Sequence, residues 1–414
     1  MARPQDPATR APFARDAWIV VAGQSIATLG DSMLVLVLPL LVLDLTRSPL
    51  HVGLVVAVAE VPAFLGFLSG WPRRHLGAQP LLVSYDLSRG VLLVGIAALF
   101  WAGAGTLAAV YAVAFLVNLV STMFRPTRIE FITHVVPEPA LRRFNSMDRT
   151  LEALAMAAGA GLGGFAYLVL PLPAVFGLCA LTFLVSGVSL LALRVPAGAF
   201  RGAGAERVRT SFRAAIAAVR RRPVPVCLIG GETVTGMSFG IFLATFVVYA
   251  REFLGVDSAT FGAFEMVQAL AATAAGLLLA SGKLGWSDRR LAVLGYLGMG
   301  LSMIALGGND EVWPVFVLMV ALGVTNMLYA VSVRTLLQTS ASEQELIHVF
   351  AAESVLSRSA QIGGAALAGA LLTFAAVPVG WMLVVAGLLA AASGVWAYRV
   401  LQPWRAVPEV STLP

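Results

Sequence analysis

The sequence predicts an all-α integral membrane protein with twelve transmembrane helices, and three observations support that prediction. Of the 414 residues, 59% are hydrophobic and only 12% are charged, and the mean hydropathy is +0.86. A soluble chain of this length could not cover its surface with so few charges. The apolar residues form separate runs, most of them near the roughly 20 residues that a helix needs to cross the hydrocarbon core. The basic residues collect on alternate connections between these runs.

The predicted spans follow one another along the chain. They lie at residues 17–44, 52–71, 81–101, 105–124, 147–170, 173–194, 224–249, 259–281, 291–307, 312–334, 350–373 and 378–399. The longest connection, at 195–223, separates six spans from six. It contains ERVRTSFRAAIAAVRRRP, a pattern typical of a basic amphipathic helix that lies on the membrane surface.

These boundaries predict two six-helix halves that are related by pseudo-symmetry. The predicted domains are an N-terminal tail at 1–16, a first half at 17–194, the linker at 195–223, a second half at 224–400 and a C-terminal tail at 401–414.

The distribution of arginine predicts the orientation. With both termini in the cytoplasm, the outward connections carry only Arg47 and Arg251, and the inward segments carry the remaining loop arginines. Cytoplasmic loops of membrane proteins have this excess of basic residues. We therefore expect a multi-pass protein of the cell inner (plasma) membrane with both tails cytoplasmic.

The two halves contain a weak internal repeat. GAGLGG at 159–164 resembles GAALAG at 364–369. Asn118 and Asn326 are separated along the chain by nearly the same number of residues as these two stretches. Parallel repeats about an axis along the membrane normal are typical of transporters with a central site between two halves.

Asp31 lies near the middle of the first span, in TLGDSMLVLVLPLLVLDL. A carboxylate at the bilayer centre costs about 2.5–3.5 kcal/mol on insertion scales, so intramembrane acids are functional by default. A medium of low dielectric constant favours the protonated form of a carboxyl group, which makes its charge switchable. We expect Asp31 to be the principal proton-coupling residue; the alternative is a protonated side chain that bonds to a neighbouring helix.

Glu60 and Glu232 are the expected partners of Asp31 in proton coupling. Glu60, in AVAEVPAF, is nearly as deep in the second span. Its alternatives are binding a cationic substrate, sharing a proton with Asp31, or packing in protonated form against span eleven. Glu232, in IGGETVTG, lies in the inner third of span seven, where its alternative is to pair with a cytoplasmic arginine.

Further polar residues within the spans are candidates for the wall of a substrate cavity. They are Gln24, Asn118, Glu265, Gln268, Asn326 and Tyr329. The neutral ones more often form helix–helix hydrogen bonds. Asp86 and Arg89 are three residues apart on one helix face and are expected to pair, and Glu353 and Arg358 are a second candidate pair.

The sequence lacks the motifs of several classes of protein. There is no P-loop, nucleophile elbow or metal-ligand spacing, and the two cysteines are isolated. We expect no enzyme activity, no cofactor, no bound metal and no nucleic-acid partner.

Four stretches resemble the major facilitator superfamily, and the resemblance covers nearly the whole chain. They are GQSIATLGDSMLVLVLPLLVLDLTRSPL with HVGLVVAVAEVPAFLGFLSG, FRPTRIEFITHVVPEPALRRFNSMDRTLEALAMAAGAGLGGF, LCALTFLVSGVSLLAL, and SASEQELIHVFAAESVLSRSAQIGGAALAG. The second is the most specific. The chain looks most like the twelve-span drug:proton antiporter branch that includes macrolide-efflux and enterobactin-export proteins.

The resemblance also implies gating residues. The family loop G-x-x-x-D-R-x-G-R-R appears as GWPRRHLGAQ, in which Arg74 takes the place of the acid, and G-P-x-x-G-G of span five has Ala160 in place of proline. The implied gating set is Gly70, Gly77, Asp86, Arg89, Gly159, Gly163 and Gly164.

The function that the resemblance implies is secondary active export. We expect a monomer in the lipid bilayer that exports small amphipathic or hydrophobic compounds by proton antiport with alternating access. An importer or lipid flippase on the same fold, and a transport-inactive scaffold or sensor, are the alternatives.

Overall fold

The computed structural model describes residues 7–69, 76–136, 138–194, 223–282, 285–340 and 343–401, and the described chain is helical with no strand. The helices are α1 Pro7–Thr46, α2 Pro49–Glu60, α3 Ala78–Trp101, α4 Leu107–Val135, α5 Glu138–Val169, α6 Leu172–Leu191, α7 Pro223–Val248, α8 Ser258–Ala280, α9 Asp288–Gly307, α10 Val312–Ser340, α11 Glu343–Phe374 and α12 Val379–Leu401. A 3₁₀ segment, Val61–Ser69, continues α2, and a π-helical turn, Tyr249–Phe253, continues α7.

Each predicted span overlaps one of these helices, the second continuing into the 3₁₀ segment, and twelve segments are long and apolar enough to cross a membrane. The predicted fold class is therefore confirmed. Helix α1 begins at Pro7, earlier than the predicted first span. The predicted surface helix at 206–223 lies outside the described residues except for Pro223, as does Gly70 of the gating set. The domain boundaries stay predictions.

Successive helices cross in opposite directions, so all odd-numbered helices begin at the same end of the bundle. We call this the basic end, because Arg125 and Arg128 near the end of α4 and Arg149 near the start of α5 lie there. The other end, where α2 and α8 begin, is the opposite end.

The internal repeat is visible in the packing. Within the first half α5 packs on α1 and α3 packs on α6; within the second half α11 packs on α7 and α9 packs on α12. The halves meet along two equivalent seams, α5 with α8 and α2 with α11. The two six-helix halves are therefore pseudo-symmetric, as the matching GAGLGG and GAALAG stretches predicted.

Glycines bring the seams together near the opposite end. A Cβ atom on Gly164 of α5 would clash with the Ser258 carbonyl oxygen of α8, and one on Gly369 of α11 would clash with the Pro49 carbonyl oxygen of α2. Because glycine lacks a Cβ, the backbones approach closely there. The halves are thus in tight contact near the opposite end, which leaves room for a cavity deeper in the bundle.

Candidate functional site

A cavity of about 470 Å³ lies between the two halves. Its volume is typical of a site for a small molecule. It extends from Phe261, in the first turn of α8, to the basic end, where Arg125, Arg128 and Arg149 contribute to its wall. Most of its polar groups come from the first half. The described lining from the second half is apolar except for Glu265.

Asp31 faces this cavity and forms an ion pair with Arg89 of α3. The Nη1 atom of Arg89 donates to both carboxylate oxygens of Asp31, at 3.3 and 3.1 Å, and to Oγ of Ser121 on α4 at 3.0 Å. The Asp31 side chain is 36% exposed, whereas that of Arg89 is 1% exposed. Asp31 is therefore accessible from the cavity while its cation is enclosed in protein.

The second carboxylate of this cluster is Asp86, one turn before Arg89 on α3. Arg89 donates through Nη2 to Asp86, as the three-residue spacing predicted, and Ser186 of α6 donates to the other carboxylate oxygen at 2.6 Å. The guanidinium also lies over two rings, 4.3 Å from the centroid of Phe183 and 5.2 Å from that of Phe124. Such cation–π contacts stabilise a guanidinium removed from water.

Two carboxylates thus share one guanidinium. With both acids ionised, the cluster of Asp31, Asp86 and Arg89 carries one negative charge in excess. Arg125, which also lines the cavity, is exposed. Water screens an exposed charge strongly, so Arg125 compensates the buried cluster only in part. Binding of one proton would therefore make the cluster of Asp31, Asp86 and Arg89 electrically neutral.

Glu60 also lines the cavity, but its partner comes from the other half. Arg358 of α11 donates to Glu60 of α2 at 2.6 Å, and the two side chains are 41% and 27% exposed respectively. The candidate pairing of Arg358 with Glu353 is not the ion pair that forms. Residues five apart lie on different faces of a helix, and Arg358 is directed towards α2. The contact joins the two halves.

Glu232 of α7 is buried away from the cavity and bonds to two tyrosines. Tyr296 of α9 donates to Oε1 at 3.1 Å and Tyr329 of α10 donates to Oε2 at 2.8 Å. Two phenol donors therefore take the place of the cytoplasmic arginine that was the alternative partner. Tyr329, predicted as a cavity residue, serves as one of these donors.

The remaining predicted cavity residues divide into two groups. Gln24 and Asn118 line the cavity, where Gln24 donates to Thr28 at 3.1 Å and Asn118 donates to the Ala114 carbonyl at 2.9 Å. Gln268 on α8 and Asn326 on α10 are not part of its described lining. Their role in substrate binding stays a prediction.

Among the described gating candidates, Asp86 and Arg89 belong to the ionic cluster, and the glycines of α5 are packing positions. Gly159 and Gly163 of α5 lie against Leu29 and Met33 of α1, and α5 is an unbroken helix across them. Gly77 is the residue that precedes α3. Whether these glycines also act as hinges stays a prediction.

Sequence reasoning missed a second contact between the halves, near the opposite end. Asp44 of α1 accepts a hydrogen bond from Tyr167 of α5 at 2.8 Å and lies 3.6 Å from the guanidinium of Arg251, in the π-helical turn after α7. A weak signal was available. Arg47 and Arg251 are the basic residues of the predicted outward connections, and Asp44 is the acid at the end of span one.

Comparison with known proteins decides the family. The model of the Major Facilitator Superfamily matches residues 20–287. The chain belongs to the Major Facilitator Superfamily. Its twelve candidate spans agree with a multi-pass membrane protein, and members of this superfamily transport small-molecule substrates.

The superfamily assignment agrees with individual relatives. The chain is 25% identical over 190 residues to the uncharacterized MFS-type transporter YjbB of Bacillus subtilis (strain 168), a match that covers 44% of this chain and 45% of that protein. The chain thus spans about half the length of this relative.

Solved structures share the fold over nearly the whole chain. The nucleoside transporter NupG has a TM-score of 0.73 at 11% identity, covering 94% of this chain and 98% of that one. A bacterial homolog of the human lysosomal transporter Spinster, inward-facing and unoccupied, has 0.71 at 12%, covering 98% and 100%. A bacterial metal transporter has 0.67 at 14%, covering 93% and 98%. At these identities the likeness shows the fold alone.

Proposed function

We propose that this transporter exports small amphipathic or hydrophobic compounds in exchange for protons, with Asp31 as the principal proton-binding group. The observation that supports the proposal is the sharing of Arg89 by Asp31 and Asp86. An arrangement with an excess carboxylate beside a cavity can change its protonation state while the fold is kept. A pair of one acid and one base is already neutral when both are ionised, so protonation of the acid would leave an uncompensated positive charge.

Asp31 is the member of the cluster that exchanges the proton. Its side chain is 36% exposed, whereas the Asp86 carboxylate is fully buried and holds hydrogen bonds from Arg89 and Ser186. A proton that leaves the Asp31 carboxyl group passes to water in the cavity. Arg89 then holds the resulting carboxylate in place, and the next proton restores the neutral group.

Alternating access fits the two seams between the halves. In the described conformation the halves touch at Gly164 and Gly369 near the opposite end, and the cavity extends to the basic end. The positive-inside rule puts the basic end in the cytoplasm. Substrate then enters from the cytoplasm and leaves when the halves rock and the opposite end opens.

The remaining acids have secondary roles in this scheme. Glu60 pairs with Arg358 across the seam between α2 and α11, so protonation of Glu60 would weaken a contact between the halves. Glu232 bonds only to hydroxyl groups among the described residues and is a second, slower proton site. The transporter works as a monomer in the cell inner (plasma) membrane with both termini cytoplasmic.

Direction and coupling are tested together in inverted membrane vesicles. We expect uptake of a permanently charged quaternary ammonium compound into vesicles acidified by respiration, accompanied by proton efflux, in the wild type and not in Asp31→Asn. Uptake that dissipates no pH gradient would contradict antiport. Movement only in right-side-out vesicles would identify an importer, and the absence of flux in either orientation would favour the scaffold interpretation.

A further inference from the structure

We propose that the first turn of α2 exchanges its capping hydroxyl group as the transporter alternates between its two states. In the described conformation Thr373 of α11, in the second half, caps α2 by accepting the N–H of Leu50. When the opposite end opens, Ser48, the residue before α2, takes over this N–H group. The inference rests on the alternating access of the proposed function, to which it adds a latch between the halves.

The N–H groups in the first turn of α2 show why an outside partner is needed. The first N–H groups of a helix have no partner within the helix. A proline begins α2 and has no N–H, and the N–H groups of His51 and Val52 donate to the Ser48 carbonyl oxygen at 3.1 and 3.4 Å. The N–H of Leu50 donates instead to Oγ1 of Thr373 at 2.9 Å. The donor that this turn leaves to a side chain is therefore satisfied by the other half.

Close packing of the seam brings Thr373 to α2. A Cβ atom on Gly369 of α11 would lie 2.7 Å from the Pro49 carbonyl oxygen and 2.9 Å from Cα of Leu50. Thr373 comes four residues after Gly369 on α11, so the two residues share one helix face. The glycine thus lets the start of α2 approach α11, and the threonine supplies the hydroxyl group.

Ser48 has the identity and the backbone conformation of a capping residue. Its φ and ψ angles, −125° and 113°, are extended, and serine is among the residues preferred at this position. Its side chain nevertheless makes no capping hydrogen bond in this conformation. An N-cap side chain accepts from the second or third N–H group of its helix. Ser48 can therefore accept the N–H of Leu50 once Thr373 has moved away.

The equivalent helix of the second half, α8, is capped from its own half. Asp257, the residue before α8, accepts the N–H of Thr260 through Oδ1 at 2.7 Å. The close approach of Gly164 to Ser258 at the other seam is a packing contact. Among the described residues, exchange of a cap is therefore a property of the seam between α2 and α11. Because either state satisfies the N–H of Leu50, the halves separate there without leaving a bare donor.

Access to the cavity from the opposite end measures the fraction of the open state. Val35 lines the cavity, so Val35→Cys is labelled with a membrane-impermeant maleimide in right-side-out vesicles, in a background of Cys179→Ala and Cys227→Ala. We expect Thr373→Val to raise the labelling rate about fivefold, since it removes one hydrogen bond from the closed state alone. Thr373→Ser is the matched control, and it should keep the wild-type rate because it keeps a hydroxyl group.

Ser48→Ala in the Thr373→Val background distinguishes exchange of the cap from loss of a contact. We expect the double variant to return to the wild-type labelling rate, because both states then lack a capping side chain. An unchanged rate in Thr373→Val overturns the inference. A double variant that is labelled as fast as Thr373→Val alone also overturns it, because Ser48 then does not cap the open state.

Ala104→Cys, in the exposed connection between α3 and α4 at the opposite end, controls for orientation and should be labelled equally fast in every variant. Its labelling only in inverted vesicles counts against the orientation of the proposed function alone, and the same ratios measured there decide the inference. Proton-coupled transport that persists while Thr373→Val leaves the labelling rate unchanged contradicts this inference and not the proposed function.

Discussion

Asp31 and Glu232 lie on equivalent helices of the two halves, α1 and α7, yet their surroundings differ. Asp31 borders the cavity and pairs with the guanidinium of Arg89 on α3. Glu232 is 9% exposed and accepts a hydrogen bond from Tyr296 on α9, the helix equivalent to α3. One half therefore holds its acid with a cation and the other with a neutral donor.

The residues that α4 and the equivalent α10 contribute to the two sites also differ. Ser121 on α4 bonds to the cation of the first half, and Tyr329 on the equivalent α10 bonds directly to the acid of the second half. A site that contains a fixed cation and two acids responds to protonation with a change in net charge beside the cavity. A carboxyl group between two phenols changes its hydrogen bonding in a closed space. The repeat thus supplies the same scaffold twice. In the proposed function the site with charged partners exchanges the coupled proton, and the site with neutral partners, which we call the supporting site, is secondary.

Removal of the cation tests the first half most severely. Arg89→Met leaves Asp31 and Asp86 without a compensating charge, and breaking a buried pair from one side costs about 3–5 kcal/mol. We expect a correspondingly large fall in the free energy of unfolding, measured by denaturant titration in detergent micelles. Ser121→Ala is the matched control, because it removes a single hydrogen bond to the same guanidinium and costs about 1 kcal/mol. Equal stability of the two variants would show that the cation does not hold this cluster.

The second half should respond as a hydrogen-bonded site does. Tyr296→Phe with Tyr329→Phe removes both donors to Glu232 and is expected to cost about 2–3 kcal/mol, since it leaves a buried acceptor unsatisfied. Adding Glu232→Met to this background should restore most of the stability, because all polar members of the site are then gone. The same chemical unfolding assay checks it. If the added substitution lowers stability further, the interpretation of this site as a supporting one is wrong.

Arg358 is a cation of the second half whose ion pair joins the two halves. It pairs with Glu60 of the first half at 2.6 Å, so Arg358→Gln should loosen the seam between α2 and α11. Partly exposed pairs contribute about 0.2–1 kcal/mol. The expected result is therefore a modest shift in the populations of the two states of the proposed alternating access, one open at the basic end and the other at the opposite end. Distances between spin labels on α2 and α11 would report it. Arg251→Gln is the comparison variant, and its longer contact with Asp44, at 3.6 Å, predicts a smaller shift. A larger shift in Arg251→Gln would reverse this ranking.

The sequence was sufficient for features that depend on neighbours along the chain. The twelve helices follow from the length of the apolar runs, and the pairing of Asp86 with Arg89 follows from their spacing on one helix face. The repeat was readable because close packing of α5 on α1, and of α11 on α7, requires small residues at corresponding positions.

The partners that connect different helices were not readable. Spacing along the chain pairs Arg89 with Asp86 alone, and its bond to Asp31 depends on which faces of α1 and α3 meet. The same holds for Arg358, whose partner Glu60 belongs to the other half, and for the two tyrosines of Glu232. Hydropathy sets which residues enter the membrane, but it does not set how each helix is rotated within the bundle.

The most direct test of the central claim is proton release from the purified protein as methyltriphenylphosphonium is added in weakly buffered detergent solution. Asp31→Asn is compared with Glu232→Gln, two isosteric changes on equivalent helices. The account predicts release in wild type and in Glu232→Gln, and its loss in Asp31→Asn while the ligand still binds. Release that persists in Asp31→Asn and disappears in Glu232→Gln would contradict it and would assign the proton to the second half.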